Sequence, residues 1–116
     1  MARSEIAITE LATFNTAGAI TADAVDLTNS HFLDINGMQD RKVLITFHGK
    51  TASMTATFKA GDFSDSGIGD LVVTVGITGI VPIVVESSRF KDTDGYILID
   101  VAGESAAGTI EAVLLP

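Results

Sequence analysis

From Val43 onward, apolar residues return at every second position. Val43, Ile45 and Phe47 alternate with Lys42, Thr46 and His48, and Met54, Ala56 and Phe58 alternate with Thr55 and Thr57. Leu71, Val73 and Val75 follow, then Val81, Ile83 and Val85. Ile97, Ile99 and Val101 alternate with Tyr96 and Asp100, and Ile110, Ala112 and Leu114 with Thr109, Glu111 and Val113. Successive side chains of a strand point to opposite faces, so each set predicts one wall of a core. The abundance of β-branched residues in these runs agrees. Gly49, Gly61, Gly76, Gly79, Gly95, Gly103 and Gly108 fall largely between the runs. Short strands separated by frequent turn signals predict an all-β chain, an antiparallel β-sandwich of about seven to nine strands, with the jelly roll among its forms. The expected core is Val43, Ile45, Phe47, Met54, Phe58, Val73, Val75, Ile83, Val85, Ile97, Ile99 and Ile110.

Two local signals refine this. Asp94-Gly95 between residues 86–91 and 96–101 predicts a hairpin. Pro82 has no N–H for a ladder, so its run is an edge strand or begins near Ile83.

The first forty residues are less regular. Residues 5–11 read as a strand and residues 32–35 as another, before an Asn36-Gly37 turn. Residues 13–26 show no clean period and read as an extended arm or loop with a short strand near Ile20. The alternative for 21–27 is a helical turn capped by Thr21. The expected organisation is one domain over 1–116, with an arm and short strands in 1–40 and the main sandwich in 41–116. A chain of this size buries close to two-thirds of its unfolded surface, which suffices for one core.

Composition then narrows the function. Hydrophobic residues make up 47% of the chain and the mean hydropathy is +0.41. No apolar run reaches the ~18 residues that a membrane helix needs. The longest, residues 77–85, is interrupted by Thr78, Gly79 and Pro82. Such a chain is expected to bury apolar surface against a partner or its own copies as well as internally. The acid at Glu5 and the lack of an apolar segment before it argue against a secretory signal. There is no Cys, which excludes disulfides and thiolate metal sites. The net charge of −8 and the scattering of Arg3, Arg41, Lys42, Lys50, Lys59, Arg89 and Lys91 argue against nucleic acid as a partner.

Candidate chemistry is sparse. His31 and His48 are the only histidines, and neither sits in a nucleophile motif, so both are expected to be exposed at strand ends. The segment 61–70 carries Asp62, Asp65 and Asp70 with Ser64 and Ser66, oxygen donors of the kind that hold Ca²⁺. The acids do not follow the alternating EF-hand spacing, and Asp, Ser and Gly also build ordinary loops, so a plain connection is expected. Asp92-Thr93-Asp94-Gly95 reads as the hairpin turn. One Tyr and no Trp leave little for an aromatic sugar platform. No catalytic, cofactor-binding or metal-binding residue is assigned, and an enzyme is not expected.

Several stretches together carry a resemblance. Ile8-Thr9-Glu10-Leu11 precedes an Ala/Thr/Gly-rich stretch. Asp26-Leu27-Thr28-Asn29-Ser30-His31 and Arg41-Lys42-Val43-Leu44-Ile45-Thr46-Phe47 follow. Then come Phe58-Lys59-Ala60-Gly61-Asp62, the run from Glu86 to Gly95, and the closing Gly108-Thr109-Ile110-Glu111-Ala112-Val113. In this general pattern the chain resembles the head decoration, or capsid cement, proteins of tailed bacteriophages. The resemblance implies a structural virion protein on the outer capsid surface that bridges major capsid subunits. It assigns no residue roles. The expected state is a homo-oligomer, with a trimer favoured. Alternatives are a carbohydrate-binding or adhesion module, and a tail or head–tail connector subunit.

Overall fold

The computed structural model describes residues 3–10, 20–35, 42–50, 52–62, 66–103 and 108–115. The Asn36-Gly37 turn, Ser64, Asp65 and residues 13–19 of the expected arm lie outside them. The described residues form ten strands: β1 (Ser4–Glu5), β2 (Ile8–Glu10), β3 (Ala22–Ala24), β4 (His31–Asp34), β5 (Lys42–Gly49), β6 (Met54–Phe58), β7 (Leu71–Val75), β8 (Ile80–Glu86), β9 (Tyr96–Ala102) and β10 (Gly108–Leu114). The expected all-β sandwich is present, with more strands than anticipated because residues 4–10 form two strands where one was expected. The only helices described are a 3-10 turn at Ser66–Ile68 and the single turn α1 (Ser87–Phe90). No described helix is long and apolar enough to cross a membrane.

The pairing is nested. β6 pairs with β7, β5 with β8, β4 with β9 and β3 with β10, all antiparallel. This is the pairing of one long hairpin, four strands out and four back, with its tip between β6 and β7. Two further pairs, β5 with β10 and β6 with β9, roll that hairpin into two sheets. The orders are β3-β10-β5-β8 and β4-β9-β6-β7, a jelly roll of eight strands.

β1 and β2 are additional, and they correct the expectation of a purely antiparallel sandwich. β1 runs parallel to β4 on one sheet, and β2 runs parallel to β10 on the other. The chain passes between the sheets at Ile6 and Ala7. The Ile6 N–H donates to Phe32 O at 3.0 Å, and the Ala7 N–H to Asp23 Oδ2 at 2.8 Å. Ile6 is 1% exposed. The strand expected over residues 5–11 is therefore part of the sandwich, divided between the two sheets. Residues 22–24 are the strand expected near Ile20, and the helical alternative there does not occur.

The core is the inner face of both sheets. Phe47, Phe58 and Phe90 form its aromatic centre, with ring centroids 6.0 Å and 5.7 Å apart along the series. Ten of the twelve expected core residues are buried; Val73 and Ile83 are only half-buried. Ile6, Leu33, Ile35, Ala56, Val101, Ala112 and Leu114 join them.

Asp94-Gly95 does lie in a tight turn, with Gly95 at φ 83°. The Gly95 N–H donates to Asp92 O at 3.0 Å, and the Asp92 N–H to Tyr96 O at 2.9 Å. The expected hairpin is nevertheless reduced to one bridge, Lys91 to Ile97. Residues 87–90 turn helically, and β8 and β9 belong to different sheets.

Candidate interaction surface

The two lateral flanks of the sandwich are built differently. On the β3/β4 side one chain segment, residues 4–10, pairs with both sheets, β1 along β4 and β2 along β10 next to β3. On the other side β7 ends one sheet and β8 ends the other, with no described strand beyond either. Pro82 therefore lies in an edge strand, as its missing N–H requires.

The open flank is uncharged. Between Asp70 and Glu86 stand fifteen residues without a single ionisable side chain, in a chain of net charge −8. Its inward-facing residues are incompletely covered: Leu71, Val73, Val81 and Ile83 pack against the core but stay half-exposed. Its outward-facing residues include Val72 at 62% exposure, Ile80 at 65% and Val84 at 49%, with Ile77 at 62% in the connecting turn. No described strand lies beyond β7 or β8 to cover these side chains from the edge.

Both ends of the flank are fixed. At one end the Arg89 guanidinium lies 4.8 Å from the Phe90 ring centroid and donates to Gly69 O at 3.2 Å. Asp70 accepts from the Ala60 N–H at 2.6 Å and from Lys59 Nζ at 2.9 Å. These donors hold the Asp70 carboxyl below its ordinary range, the backbone N–H contributing most, and the same contact raises Lys59. At the other end Gly76–Gly79 joins β7 to β8, with the Gly79 N–H donating to Gly76 O at 2.9 Å. Gly49 of β5 abuts this turn so closely that a Cβ there would lie 2.2 Å from Gly76 O.

The sequence-derived candidates lie elsewhere. The sequence suggests an exposed strand end for His31, and the ring is instead buried, at 1% exposure. Its Nε2 accepts from the Asp26 N–H at 2.9 Å, and its Nδ1 donates to Ser4 O at 3.2 Å. Burial lowers its pKa. Asp26 accepts from Ser4 Oγ at 2.5 Å and from the Thr28 and Asn29 N–H groups at 3.0 Å, which takes its pKa from 3.8 down to about 2. The pair is a structural clasp beneath β1. His48 is half-buried on the outer face of β5, with Nε2 3.3 Å from Glu111 Oε1. The histidines sit on different strands in different sheets.

The acidic loop does not converge. Asp62 accepts from the Thr93 N–H at 3.1 Å, whereas Asp70 serves Lys59 and Ala60. Among the described residues no group of three or more His, Asp or Glu is placed to hold a metal ion. Shallow hollows occur among the described residues. One of about 550 Å³ lies among Ala52, Met54, Thr55, Thr74 and Ile77, and one of about 370 Å³ lies beside His48 and Lys50. Neither brings together an acid–base pair.

Comparison with protein-family models, curated proteins and solved structures finds no match to this chain.

Proposed function

We propose that this chain is a structural protein of a phage particle that binds the outer surface of the capsid, in several copies, and stabilises it by bridging major capsid subunits. The observation that carries the reading is the open β7–β8 flank. A rigid sandwich that leaves two uncharged apolar edge strands uncovered is suited to assembly through protein contacts. The resemblance of the sequence to capsid cement proteins supplies the identity of the surface bound.

The acidic character fits the outside of the shell. Carboxylates keep free copies soluble and are repelled by packaged nucleic acid. Many equivalent weak contacts on a repeating lattice give high occupancy when linked copies engage neighbouring sites together. The mechanism asks nothing of bond-making groups. It needs only a stiff body whose surfaces span a subunit boundary.

The experiment is reconstitution. Undecorated capsids of the phage that carries the gene are mixed with the purified chain, separated by density, and imaged. Ordered density at fixed lattice positions, with a raised capsid melting temperature, is expected. Absence of the chain from the capsid fraction at saturating concentration rejects the reading.

A further inference from the structure

We infer that the β7 edge is a self-association surface, occupied by β7 of a second copy of this chain running antiparallel across a two-fold axis near Val73. The inference rests on the reading of the open flank as a contact surface, and it names what covers it.

Charge favours this contact. Two copies of a chain with net charge −8 repel each other wherever carboxylates face carboxylates. The fifteen-residue stretch between Asp70 and Glu86 is the longest in the sequence without an ionisable side chain. It is the surface on which like copies meet at least electrostatic cost. A two-fold contact presents the same patch from both partners, so the patch must be self-complementary, and an uncharged apolar edge is.

Edge chemistry singles out β7. Soluble proteins protect free edges with prolines, charges or bulges. β8 carries such a device in Pro82, which interrupts any further ladder on that strand. β7, Leu71-Val72-Val73-Thr74-Val75, carries no proline and no charge. The backbone N–H and C=O groups on its outer side, beyond which no described strand lies, can form a ladder with an identical strand. In a pair centred on Val73, Val72 lies opposite Thr74 of the second copy. The half-exposed Leu71, Val73, Val81 and Ile83 of the two copies then close into one continuous apolar layer.

The area sets the strength of the pair. The seven residues of β8 give the flank a length of roughly 23 Å at ~3.3 Å per residue. Across two sheets stacked ~10 Å apart, a face of this length is small against the ~800 Å² per partner of a standard specific interface. A pair of this size dissociates on dilution unless the ladder adds to it. The two-fold makes pairs, in place of the trimer expected from the sequence. Ile80, Pro82 and Val84 stay outside the contact, on the outer face of the second sheet.

Sedimentation velocity of the full chain across a wide concentration range tests this. The native chain is expected to shift with concentration from 12.1 kDa toward twice that mass. Val72→Glu/Thr74→Glu changes two exposed side chains and puts four carboxylates along the paired edges. It should remain monomeric at every concentration while keeping the native circular-dichroism spectrum. Val84→Glu places a charge on the neighbouring outer face and should associate like the native chain. A native chain that is monomeric throughout overturns the inference, as does a double variant that still pairs. Mixing the same variants with undecorated capsids separates this from the function proposed above. A chain that pairs and does not bind capsids keeps the inference and rejects the capsid reading. A monomeric native chain whose capsid binding is lost in the double variant does the reverse.

Discussion

His31 accepts a hydrogen bond from the Asp26 N–H through Nε2 while its Nδ1 proton lies on Ser4 O, so the buried ring is the neutral tautomer and joins β1 to β4. Protonation would place a second N–H at Nε2, facing the Asp26 N–H donor. Burial, the largest effect, lowers the pKa from 6.5; the hydrogen bond to Ser4 O and the Asp26 and Asp23 carboxylates oppose this, and Arg3 adds to it. The unfolded chain thus binds the proton more readily, and stability falls as the pH drops below about 6.5. Asp26 acts later: its stabilisation is present above 3.8 and is lost as the pH falls toward about 2. Thermal unfolding from pH 7.5 to 5 should show a declining midpoint, and His31→Gln should start lower and decline less. A native midpoint that holds steady over that interval contradicts the clasp.

Core truncation separates the inner from the outer face. Phe47 and Ile99 are both fully buried, and Phe47 meets Phe58 edge-on. Phe47→Ala and Ile99→Ala should each cost about 2–5 kcal/mol in denaturant unfolding, as transfer and cavity effects add. Val84→Ala, on an exposed position, should stay within about 0.5 kcal/mol of the native chain.

These contrasts also show what the sequence made legible. The alternation at Val43, Ile45 and Phe47, or at Ile97 and Ile99, is local information, because the pleat itself sorts the faces. Which strand neighbours which is not local, and the nested pairing of β3 with β10 or β4 with β9 leaves no period to read. The burial of His31 is hidden for the same reason. It depends on Ser4 and Asp26, which only the fold brings to it. Residues 86–91 look extended in sequence, but Ser87–Phe90 turns so that Phe90 reaches the core. The open flank is half legible. Pro82 marks an edge and the uncharged run is visible, yet nothing in the sequence says that β7 and β8 end their two sheets on the same side.

The N-terminal segment should behave as structure. Ile6 is buried where the chain passes between the sheets, and β1 and β2 pair with both. Ile6→Ala should lower stability by about 2–5 kcal/mol, close to the Ile99 effect. Removing residues 1–10 should give a chain that melts far lower or fails to fold. A truncated chain with an unchanged melting temperature would show that β1 and β2 contribute nothing to the sandwich.

Cations should matter little to folding. Asp62 and Asp70 already accept hydrogen bonds from Thr93, Ala60 and Lys59, and they do not face a common point. A bound ion would raise the melting temperature in proportion to the logarithm of its concentration. Scans with EDTA and with millimolar Ca²⁺ should therefore superimpose, and a calcium-dependent rise of several degrees would restore a metal role to the 61–70 loop.

Pro82 should act as a stop on assembly. It stands opposite Thr46 in the middle of the β5–β8 register, a position a proline tolerates when its nitrogen faces the free edge of the sheet. Pro82→Thr supplies the missing donor and a β-branched side chain to that edge. The fold should lose only about 0.4–1 kcal/mol, mainly through the freer unfolded chain. The larger change should be in association. With β7 as one adhesive edge and a repaired β8 as another, each copy presents two such edges, and contacts that do not close into a pair can propagate. Light scattering should report a chain that pairs in its native form and grows into larger species as the variant, at equal concentration and pH. If the variant only pairs, the Ile80–Glu86 edge is guarded by something other than Pro82, and that residue is not the stop.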